Sequence, residues 1–205
     1  MNRYSILREG QYNELSKLSL DGKILDVGGL KNANYHELIK GKHSFTSVNI
    51  PPNDCDISFD IQKTFPFADG SFDHIVCLNV LEHIYGFQNA FSEMHRVLRS
   101  GGTFVAAIPF MHHIHGCPDD NFRYTESALR HILEDLKYKE IQITPTGLGV
   151  FSLIHQTISG ALPGVVGVFF KTIAKGCDKV FLALSPRYTR MSARIPLGYF
   201  IIAKK

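Results

Sequence analysis

The sequence predicts a doubly wound α/β fold, in which helices cover both faces of a mostly parallel, seven-stranded sheet. Short β-rich runs alternate with helical patterns through the first 145 residues, as expected of successive strand–helix–strand units. One run, residues 74–80 (HIVCLNV), is apolar nearly throughout, as expected of a central strand buried on both faces. A final β-rich run, residues 198–204 (GYFIIAK), follows a long apolar segment and completes the sheet.

The remaining elements follow from periodicity and from end signals. The seven predicted strands are residues 23–28, 44–50, 56–61, 74–80, 103–108, 139–144 and 198–204. Helices are predicted at residues 32–40 and 88–99, the second of them closed by Gly101 and Gly102. A third helix begins at Thr125, a good N-cap residue that is followed by an acid in the first turn.

Composition narrows the class of protein. The length of 205 residues suits one domain, to which we assign residues 1–205, with residues 148–195 as a helical insertion or cap. A net charge of only +3 argues against a nucleic-acid partner. The four cysteines form no CxxC pair, so neither a zinc site nor a disulfide framework is expected. The N-terminal residues lack an apolar secretory segment, which favours a cytoplasmic location.

The first strand ends in a motif typical of a nucleoside-binding site. Residues 24–29 (ILDVGG) place an acid, Asp26, just ahead of Gly28 and Gly29. In open α/β sheets ligands bind at the carboxyl ends of strands, and glycine there lets the backbone approach them closely. An acid at this position repels a pyrophosphate and suits an ammonium group. The motif therefore favours a nucleoside that carries an amino acid over a dinucleotide.

Three further segments follow in order: FPFADGSFD at residues 65–73, VCLNVLEH at residues 76–83 and RVLRSGGTF at residues 96–104. Together with the first motif they resemble the class I methyltransferases that use S-adenosylmethionine, and the resemblance covers roughly residues 23–145. It implies a Rossmann-like fold and S-adenosylmethionine as the cofactor.

The resemblance also implies the cofactor contacts. Asp26, Gly28 and Gly29 match the family's first motif, around the methionine end of the cofactor, and Asn79 matches a strand end beside the methionine. Asn49 stands where the family usually has an acid that binds the ribose, and Asp60 and Ile61 match the adenine contact. The family also tends to continue with glycines where this chain has Leu30–Lys31–Asn32. An amide at position 49 cannot make the charge-assisted hydrogen bond that a carboxylate makes to the ribose. The expected affinity for the cofactor is therefore weaker.

The most concentrated polar run, residues 109–125 (PFMHHIHGCPDDNFRYT), follows the fifth strand, where this fold places the acceptor. A histidine with Asp119 or Asp120 suits deprotonation of a hydroxyl. A divalent metal site is a second interpretation, for which the sequence alone assigns no ligands. The third is a solvated loop in which one of these acids pairs with Arg123 and caps the helix that starts near Thr125. We take His115, His112, Asp119 and His83 as the candidate catalytic residues. The six histidines outside this loop and the end of the fourth predicted strand, for which the sequence suggests no partner, are expected to be structural or exposed: His36, His43, His74, His95, His131 and His155.

The long segment before the last strand is a predicted insertion. Residues 141–170 contain no charged residue, but their glycines and Pro163 argue against one continuous membrane span. From Pro163 onward the pattern is amphipathic. The apolar face comprises Val166, Phe169, Ile173, Cys177, Val180 and Leu184, and the lysine face comprises Lys171, Lys175 and Lys179. We expect the apolar face to pack on its own domain or in a homodimer; contact of residues 148–184 with a membrane surface is the alternative.

The string PF…H…PDD..RYT within the polar run also resembles a methyltransferase subgroup of polysaccharide and glycolipid biosynthesis. The leading hypothesis is therefore methyl transfer to a hydroxyl of a small acceptor, a saccharide or lipid-linked saccharide, at the inner face of the membrane in the lipid-linked case. Methylation of a quinone-like apolar molecule is the alternative within the same class. A non-catalytic binding or assembly module is the alternative from another class, favoured by Leu30–Lys31–Asn32 and Asn49.

Overall fold

The computed structural model describes residues 4–116 and 118–205. Its strands are β1 Gly22–Val27, β2 His43–Asn49, β3 Ile57–Ser58, β4 Phe72–Leu78, β5 Leu98–Pro109, β6 Lys139–Thr146 and β7 Gly198–Lys204. Its α-helices are α1 Ile6–Leu15, α2 Phe87–Val97, α3 Glu126–Asp135, α4 Val150–Ile158, α5 Gly164–Leu184 and α6 Pro186–Ser192. Short 3₁₀ turns occupy His36–Leu38, Leu81–His83 and Ser159–Ala161.

All seven strands form one sheet in the order β3-β2-β1-β4-β5-β7-β6. The strands from β3 to β5 run parallel, whereas β7 is antiparallel to both β5 and β6. The order reverses between β1 and β4, so the carboxyl ends of these two strands form the crevice in which ligands of open α/β sheets bind. The predicted fold, a doubly wound and mostly parallel sheet of seven strands, is confirmed.

The centre of the sheet explains why its sequence is apolar. Ile75, Val76 and Cys77 of β4 are inaccessible to solvent, as are residues 104–108 of β5. Side chains on both faces of these strands are covered, so both alternating positions are apolar. Cys77 therefore serves as a small core residue of this strand.

The predicted helix at residues 32–40 is wrong, because this segment forms only the 3₁₀ turn His36–Leu38. Tyr35 and His36 direct their side chains back to Asp26 instead of continuing a helix. No side chain caps the N-terminus of this short turn. The third strand is also much shorter than predicted, with two residues in place of six. Elsewhere the predicted strands differ from the observed ones mainly at their ends.

Helix α1 was not predicted, and it links the sheet to the insertion. It begins at the N-cap Ser5, whose hydroxyl accepts a hydrogen bond from the Arg8 amide. Gln11 of α1 contacts Asn79, which directly follows β4. Glu9 of the same helix binds α5. The N-terminal helix therefore lies at the carboxyl edge of the sheet, next to the expected ligand crevice.

The insertion contains α4, α5 and α6, and α5 has the opposite orientation to the predicted one. Its buried residues are Lys171, Ala174 and Asp178. Most of the predicted packing face is instead exposed: Phe169 to 70% and Leu184 to 77%, with Val166, Ile173 and Val180 exposed to a lesser degree. The expectation that this face packs on its own domain is therefore wrong. None of the described helices combines the length and apolar character that crossing a membrane requires.

Polar contacts fix this orientation of α5. Lys171 and Lys175 bind the two carboxylate oxygens of Glu9 at 2.8 and 2.7 Å. The buried carboxylate of Asp178 accepts hydrogen bonds from the amides of Phe151 and Ser152, the first turn of α4. An anion is stabilised at a helix N-terminus by these free amides and by the helix dipole. These contacts turn the polar side of α5 inward and leave its apolar side outside.

Candidate functional site

The two glycines after β1 occupy positions without room for a side chain. Gly28 has φ of +78°, and a Cβ atom there would lie 2.3 Å from Cγ2 of Val80. A Cβ atom on Gly29 would lie 1.9 Å from Oδ2 of Asp26. The left-handed conformation and the close approach both require glycine at position 28. The loop therefore exposes backbone at the ligand edge of the sheet, as the sequence motif predicts.

Asp26 is fully buried beneath this loop. Its Oδ2 atom accepts a hydrogen bond of 2.7 Å from the Tyr35 hydroxyl and lies 2.7 Å from Nε2 of His36. Burial and the neighbouring Asp26 raise the pKa of Tyr35 well above its ordinary value, so Tyr35 stays a donor. The Oδ1 atom of Asp26 is buried and has no hydrogen-bond partner among the described residues. One acceptor at the strand end is thus left for a donor from a ligand.

Asn49 ends β2 as predicted, but its side chain binds the protein backbone. The Nδ2 group donates to the carbonyl oxygens of Gly28 and Gly29 at 2.8 and 3.2 Å. The Oδ1 atom accepts from the Ile50 amide and from Asn53. Asn49 therefore ties the glycine loop to β2. In this arrangement its amide is engaged on both sides and is not free to bind a ribose.

Asn79 directly follows β4 and has a left-handed conformation, with φ of +55°. Its amide forms a reciprocal pair with the amide of Gln11, at 2.8 and 2.9 Å. Asp60 and Ile61, the predicted adenine contacts, lie beyond the short third strand. Asp60 closes a turn by accepting from the Gln62 amide, and Ile61 is buried. Their role in cofactor binding stays a prediction.

A second polar group lies around Glu82, in the 3₁₀ turn after β4. The Glu82 side chain is fully buried, and both carboxylate oxygens lack a hydrogen-bond partner among the described residues. Burial raises the pKa of the Glu82 carboxyl to about 8. The polar loop after β5 is held against this turn, because the amides of Asn121 and Phe122 donate to the carbonyl oxygen of Glu82. The ends of β4 and β5 thus bring Glu82 to the histidine-rich loop.

Two histidines converge on Glu82. Nε2 of His83 and Nε2 of His115 lie 3.7 and 3.8 Å from Oε1 of Glu82. The two imidazole rings contact each other edge to face at 5.0 Å. Nδ1 of His83 lies 2.5 Å from the Asp119 carbonyl oxygen, and Nδ1 of His115 lies 3.2 Å from the His113 carbonyl oxygen. A carbonyl only accepts hydrogen bonds, so both Nδ1 atoms carry a proton.

The loop acid in this group is Asp120 and not Asp119. Asp120 forms a bidentate pair with Arg123 at 2.5 and 2.6 Å, and its carboxylate also accepts from the backbone amide of His115. Hydrogen bonding from Arg123 holds the pKa of Asp120 well below its usual range. The side chain of Asp119 is exposed. The expected ion pair with Arg123 is present, but α3 is capped by the side chain of Thr125 and not by Asp119 or Asp120.

His112 stacks beside His115, with ring centroids 4.6 Å apart. Its Nδ1 atom lies 3.0 Å from the His113 carbonyl oxygen, which leaves the Nε2 lone pair available. Partial burial lowers the pKa of His112, as do the neighbouring His113 and His115, so its imidazole is neutral at neutral pH. Of the four predicted catalytic residues, the structure thus brings His83, His112 and His115 together.

Several residues of this edge were missed from the sequence. Tyr35 and His36 lie in a segment predicted to be helical, and Gln11 lies in a helix that was not predicted. For Glu82 a signal existed, since an acid in the apolar segment just beyond a buried strand is costly to bury unless it has a role. The histidine pattern alone did not show that Glu82 faces the loop.

Residues 25–106 match the family described as "Methyltransferase domain". The chain is 29% identical over 79 residues to a sterol 24-C-methyltransferase of Eremothecium gossypii, a match that covers 38% of this chain and 21% of that protein. It is 37% identical over 43 residues to an uncharacterized protein of Methanocaldococcus jannaschii, covering 21% of this chain and 19% of that protein. The matched segments thus span about a fifth of the length of these curated relatives.

Solved structures resemble the whole sheet. A phosphoethanolamine N-methyltransferase 2 of Haemonchus contortus, in complex with S-adenosyl-L-methionine, aligns with a TM-score of 0.60 at 13% identity, covering 95% of this chain and 52% of that chain. A SAM dependent methyltransferase of Archaeoglobus fulgidus aligns with a TM-score of 0.58 at 17% identity, covering 97% of this chain and 91% of that chain. The cyclase SpnF aligns with a TM-score of 0.63 at 14% identity, covering 99% of this chain and 84% of that chain. Residues 25–106 are thus similar to the methyltransferase domain family, and the fold built around them resembles that of solved S-adenosylmethionine-dependent methyltransferases.

Proposed function

We propose that this chain is an S-adenosylmethionine-dependent methyltransferase that acts on a hydroxyl of a saccharide or lipid-linked saccharide. The family match supports the reaction class. The observation that carries the choice of acceptor is the group of His112, His115 and Asp120 at the carboxyl edge of the sheet. A hydroxyl must lose its proton on methylation, and such a group accepts one.

The residues after β1 fit this cofactor. The partnerless Oδ1 atom of Asp26 suits the ammonium group of a methionine, and Gly28 and Gly29 leave room for a ligand against the backbone. The side-chain amide of Asn79 would bind a ligand at the same edge if its two hydrogen bonds to Gln11 were broken. The cofactor supplies an electrophilic methyl group, while the protein positions the acceptor oxygen in line with it. Asn49 supports the glycine loop and does not itself bind the ribose.

On the acceptor side His112 is the best placed base. Its Nδ1 atom is held by the His113 carbonyl, and its Nε2 lone pair has no acid beside it among the described residues. The Asp120–Arg123 pair fixes the loop, and through the amide of His115 it holds the histidines at the edge. The hydroxyl proton passes to Nε2 of His112 as the oxygen gains the methyl group. Preorganised loop contacts keep these groups in position without reordering.

The surface of the insertion supports delivery of a lipid-linked acceptor at an anionic membrane. The exposed apolar side chains of α5 include Val165, at 81%, and Phe169, at 70%. Asp178 is the only acid among residues 141–195, and it is buried. Four exposed cations in this region make no ion pair within the described part of the chain: Lys179, Arg187, Arg190 and Arg194. Apolar side chains flanked by unpaired cations match a bilayer with anionic headgroups.

A second candidate function, a cofactor-binding or assembly module without catalysis, is favoured by the side-chain amides. Those of Asn49 and Asn79 are both engaged by the protein itself. In addition, one similar structure is described as a cyclase, and a fold alone does not fix a reaction.

Calorimetric titration with S-adenosylmethionine and S-adenosylhomocysteine tests the proposed function. We expect saturable binding that Asp26→Asn weakens by about tenfold or more, which corresponds to about 1.4 kcal/mol. The Asp119→Asn variant is the control, since this exposed carboxylate is not held in the site. Absence of binding at millimolar concentration contradicts the proposal. Binding without formation of S-adenosylhomocysteine, across hydroxyl acceptors that include lipid-linked saccharides, supports the module.

Vesicle sedimentation tests the membrane surface separately. We expect binding to vesicles that contain phosphatidylglycerol, weak binding to pure phosphatidylcholine, and loss of binding at high salt. The paired change of Phe169→Ser and Leu184→Ser should abolish binding. Ile57→Ser, at an exposed apolar position on the edge strand β3, should not. A stable dimer that the paired change disrupts, together with no binding to vesicles, would show that a second copy covers this surface.

A further inference from the structure

Three potential ligand atoms converge at the turn after β4. Oε1 of Glu82 lies 3.7 Å from Nε2 of His83 and 3.8 Å from Nε2 of His115, and one ligand atom from each residue lies within 4.8 Å of the others. Neighbouring ligands of a tetrahedral zinc ion are separated by about 3.3 Å, as follows from bond lengths of about 2.0–2.1 Å. The two distances from Oε1 to the imidazole nitrogens exceed this separation by only about 0.4–0.5 Å.

Hydrogen bonds orient both imidazoles toward Glu82. The carbonyl oxygens of Asp119 and His113 accept from Nδ1 of His83 and Nδ1 of His115. In the neutral rings this leaves the lone pair on each Nε2 atom, on the side of Glu82. Metal-binding histidines are usually held in this way, by a backbone carbonyl on the other ring nitrogen.

Glu82 needs a partner that the described residues do not supply. Its side chain is 0% exposed, and both carboxylate oxygens lack a hydrogen bond. With a proton on each Nδ1, neither Nε2 atom offers a proton to Glu82, and both lie 3.7–3.8 Å from Oε1, too far for a hydrogen bond. Burying such a group without a partner is costly. A cation between the three atoms would satisfy all of them at once.

We propose that Glu82, His83 and His115 bind a divalent transition metal ion, with zinc as the first candidate. Two imidazole nitrogens and one carboxylate oxygen suit zinc, iron or cobalt, whereas magnesium and calcium prefer oxygen ligands. Three protein ligands are typical of zinc sites that keep a position open. The acceptor oxygen would occupy the open coordination position, where the metal would lower the pKa of its hydroxyl. This role rests on the proposed function. His112 would remain as the base.

Metal binding is testable without cofactor or acceptor. Protein without an affinity tag, treated with chelator and dialysed, is titrated calorimetrically with zinc chloride, and cobalt binding is followed by visible absorption. We expect one equivalent of zinc per chain and the intense absorption of tetrahedral cobalt. Glu82→Gln and His115→Gln should each weaken binding by at least about tenfold. Circular dichroism checks that both variants fold, and His115 lies on a half-exposed loop whose substitution the fold should tolerate.

His131→Gln is the matched control, because His131 and Glu134 form an exposed pair 3.6 Å apart on α3. This variant should bind zinc like the unmodified chain. The proposal is overturned if no saturable binding is seen up to about 1 mM zinc. It is also overturned if the Glu82→Gln and His115→Gln variants bind zinc as tightly as the unmodified chain. A chain that binds zinc but transfers no methyl group would contradict the proposed function and leave the metal site standing.

Discussion

The side chain of Asn49 donates a 2.8 Å hydrogen bond to the carbonyl oxygen of Gly28 and so connects the ends of β2 and β1. The same Nδ2 group reaches the carbonyl of Gly29 at 3.2 Å. An acid, the usual residue of the family at this position, has no proton to donate to either carbonyl. The amide at this position is therefore matched to the backbone of this particular glycine loop.

Asn49→Asp should consequently destabilise the fold, although it restores the residue that the family prefers. A carboxylate would face two carbonyl oxygens, and we expect a loss of about 1–3 kcal/mol in the free energy of unfolding by urea denaturation. Asn32→Asp, at an exposed side chain that makes no hydrogen bond within the described residues, should change it by less than about 0.5 kcal/mol. Unchanged or higher stability of Asn49→Asp would show that its hydrogen bonds to the loop are not structural.

Gly28→Ala should be strongly destabilising for two separable reasons. The φ of +78° costs an L-residue about 1–2 kcal/mol, and the contact of 2.3 Å with Val80 adds an overpacking cost of about 1–3 kcal/mol. In a Val80→Ala background only the first cost should remain, so the double-mutant cycle should show coupling. Gly176→Ala is the control: nothing lies near its Cβ position in α5, and we expect a gain of about 0.5–1 kcal/mol. Additive effects of Gly28→Ala and Val80→Ala would contradict the steric argument.

Much of the fold was predictable because its signals are local. The buried strands β4 and β5 appear as apolar runs, and Thr125 marks the start of α3. The orientation of α5 was not predictable in this way, because it depends on Lys171 binding Glu9, 162 positions earlier in the chain. The amphipathic pattern of α5 shows that two faces exist, but it does not say which of them the rest of the chain covers.

In the candidate site, too, some features were predictable from local sequence and others were not. Asp26, Gly28 and Gly29 follow from one short motif, and the structure places them together. The hydrogen bonds of Asp26 with Tyr35 and His36 depend on how the following segment folds back, which no periodicity encodes. The choice between Asp119 and Asp120 was also undetermined, since adjacent acids have the same sequence pattern and differ only in the direction of the side chain.

Stability measurements on the two loop acids should distinguish them. Asp120→Ala leaves the half-buried guanidinium of Arg123 without its bidentate partner and removes the acceptor of the His115 amide. We expect a loss of about 1.5–3 kcal/mol in the free energy of unfolding. Asp119→Ala removes an exposed carboxylate and should cost less than about 0.5 kcal/mol. Equal effects of the two changes would contradict the assignment of Asp120 as the loop anchor.

Acidification should weaken the contact between α1 and α5. Burial tends to raise the pKa of Glu9, but hydrogen bonds from Lys171 and Lys175 outweigh it and lower the pKa below its ordinary value. The folded state therefore favours the carboxylate. Its contribution is fully present above the unfolded pKa of about 4.3 and is lost as the pH falls through the lower folded value.

Glu9→Gln removes this contribution at every pH. Because Lys175 is half exposed, solvent screens the pair, and we expect a cost of only about 1 kcal/mol at pH 7. The difference between Glu9→Gln and the unmodified chain should then shrink below about pH 4.3. Glu14→Gln, which breaks an ion pair with the exposed Lys17, is the control and should cost less than about 0.5 kcal/mol. A difference for Glu9→Gln that stays constant between pH 7 and pH 3 would show that the charge of Glu9 does not hold α5 in place.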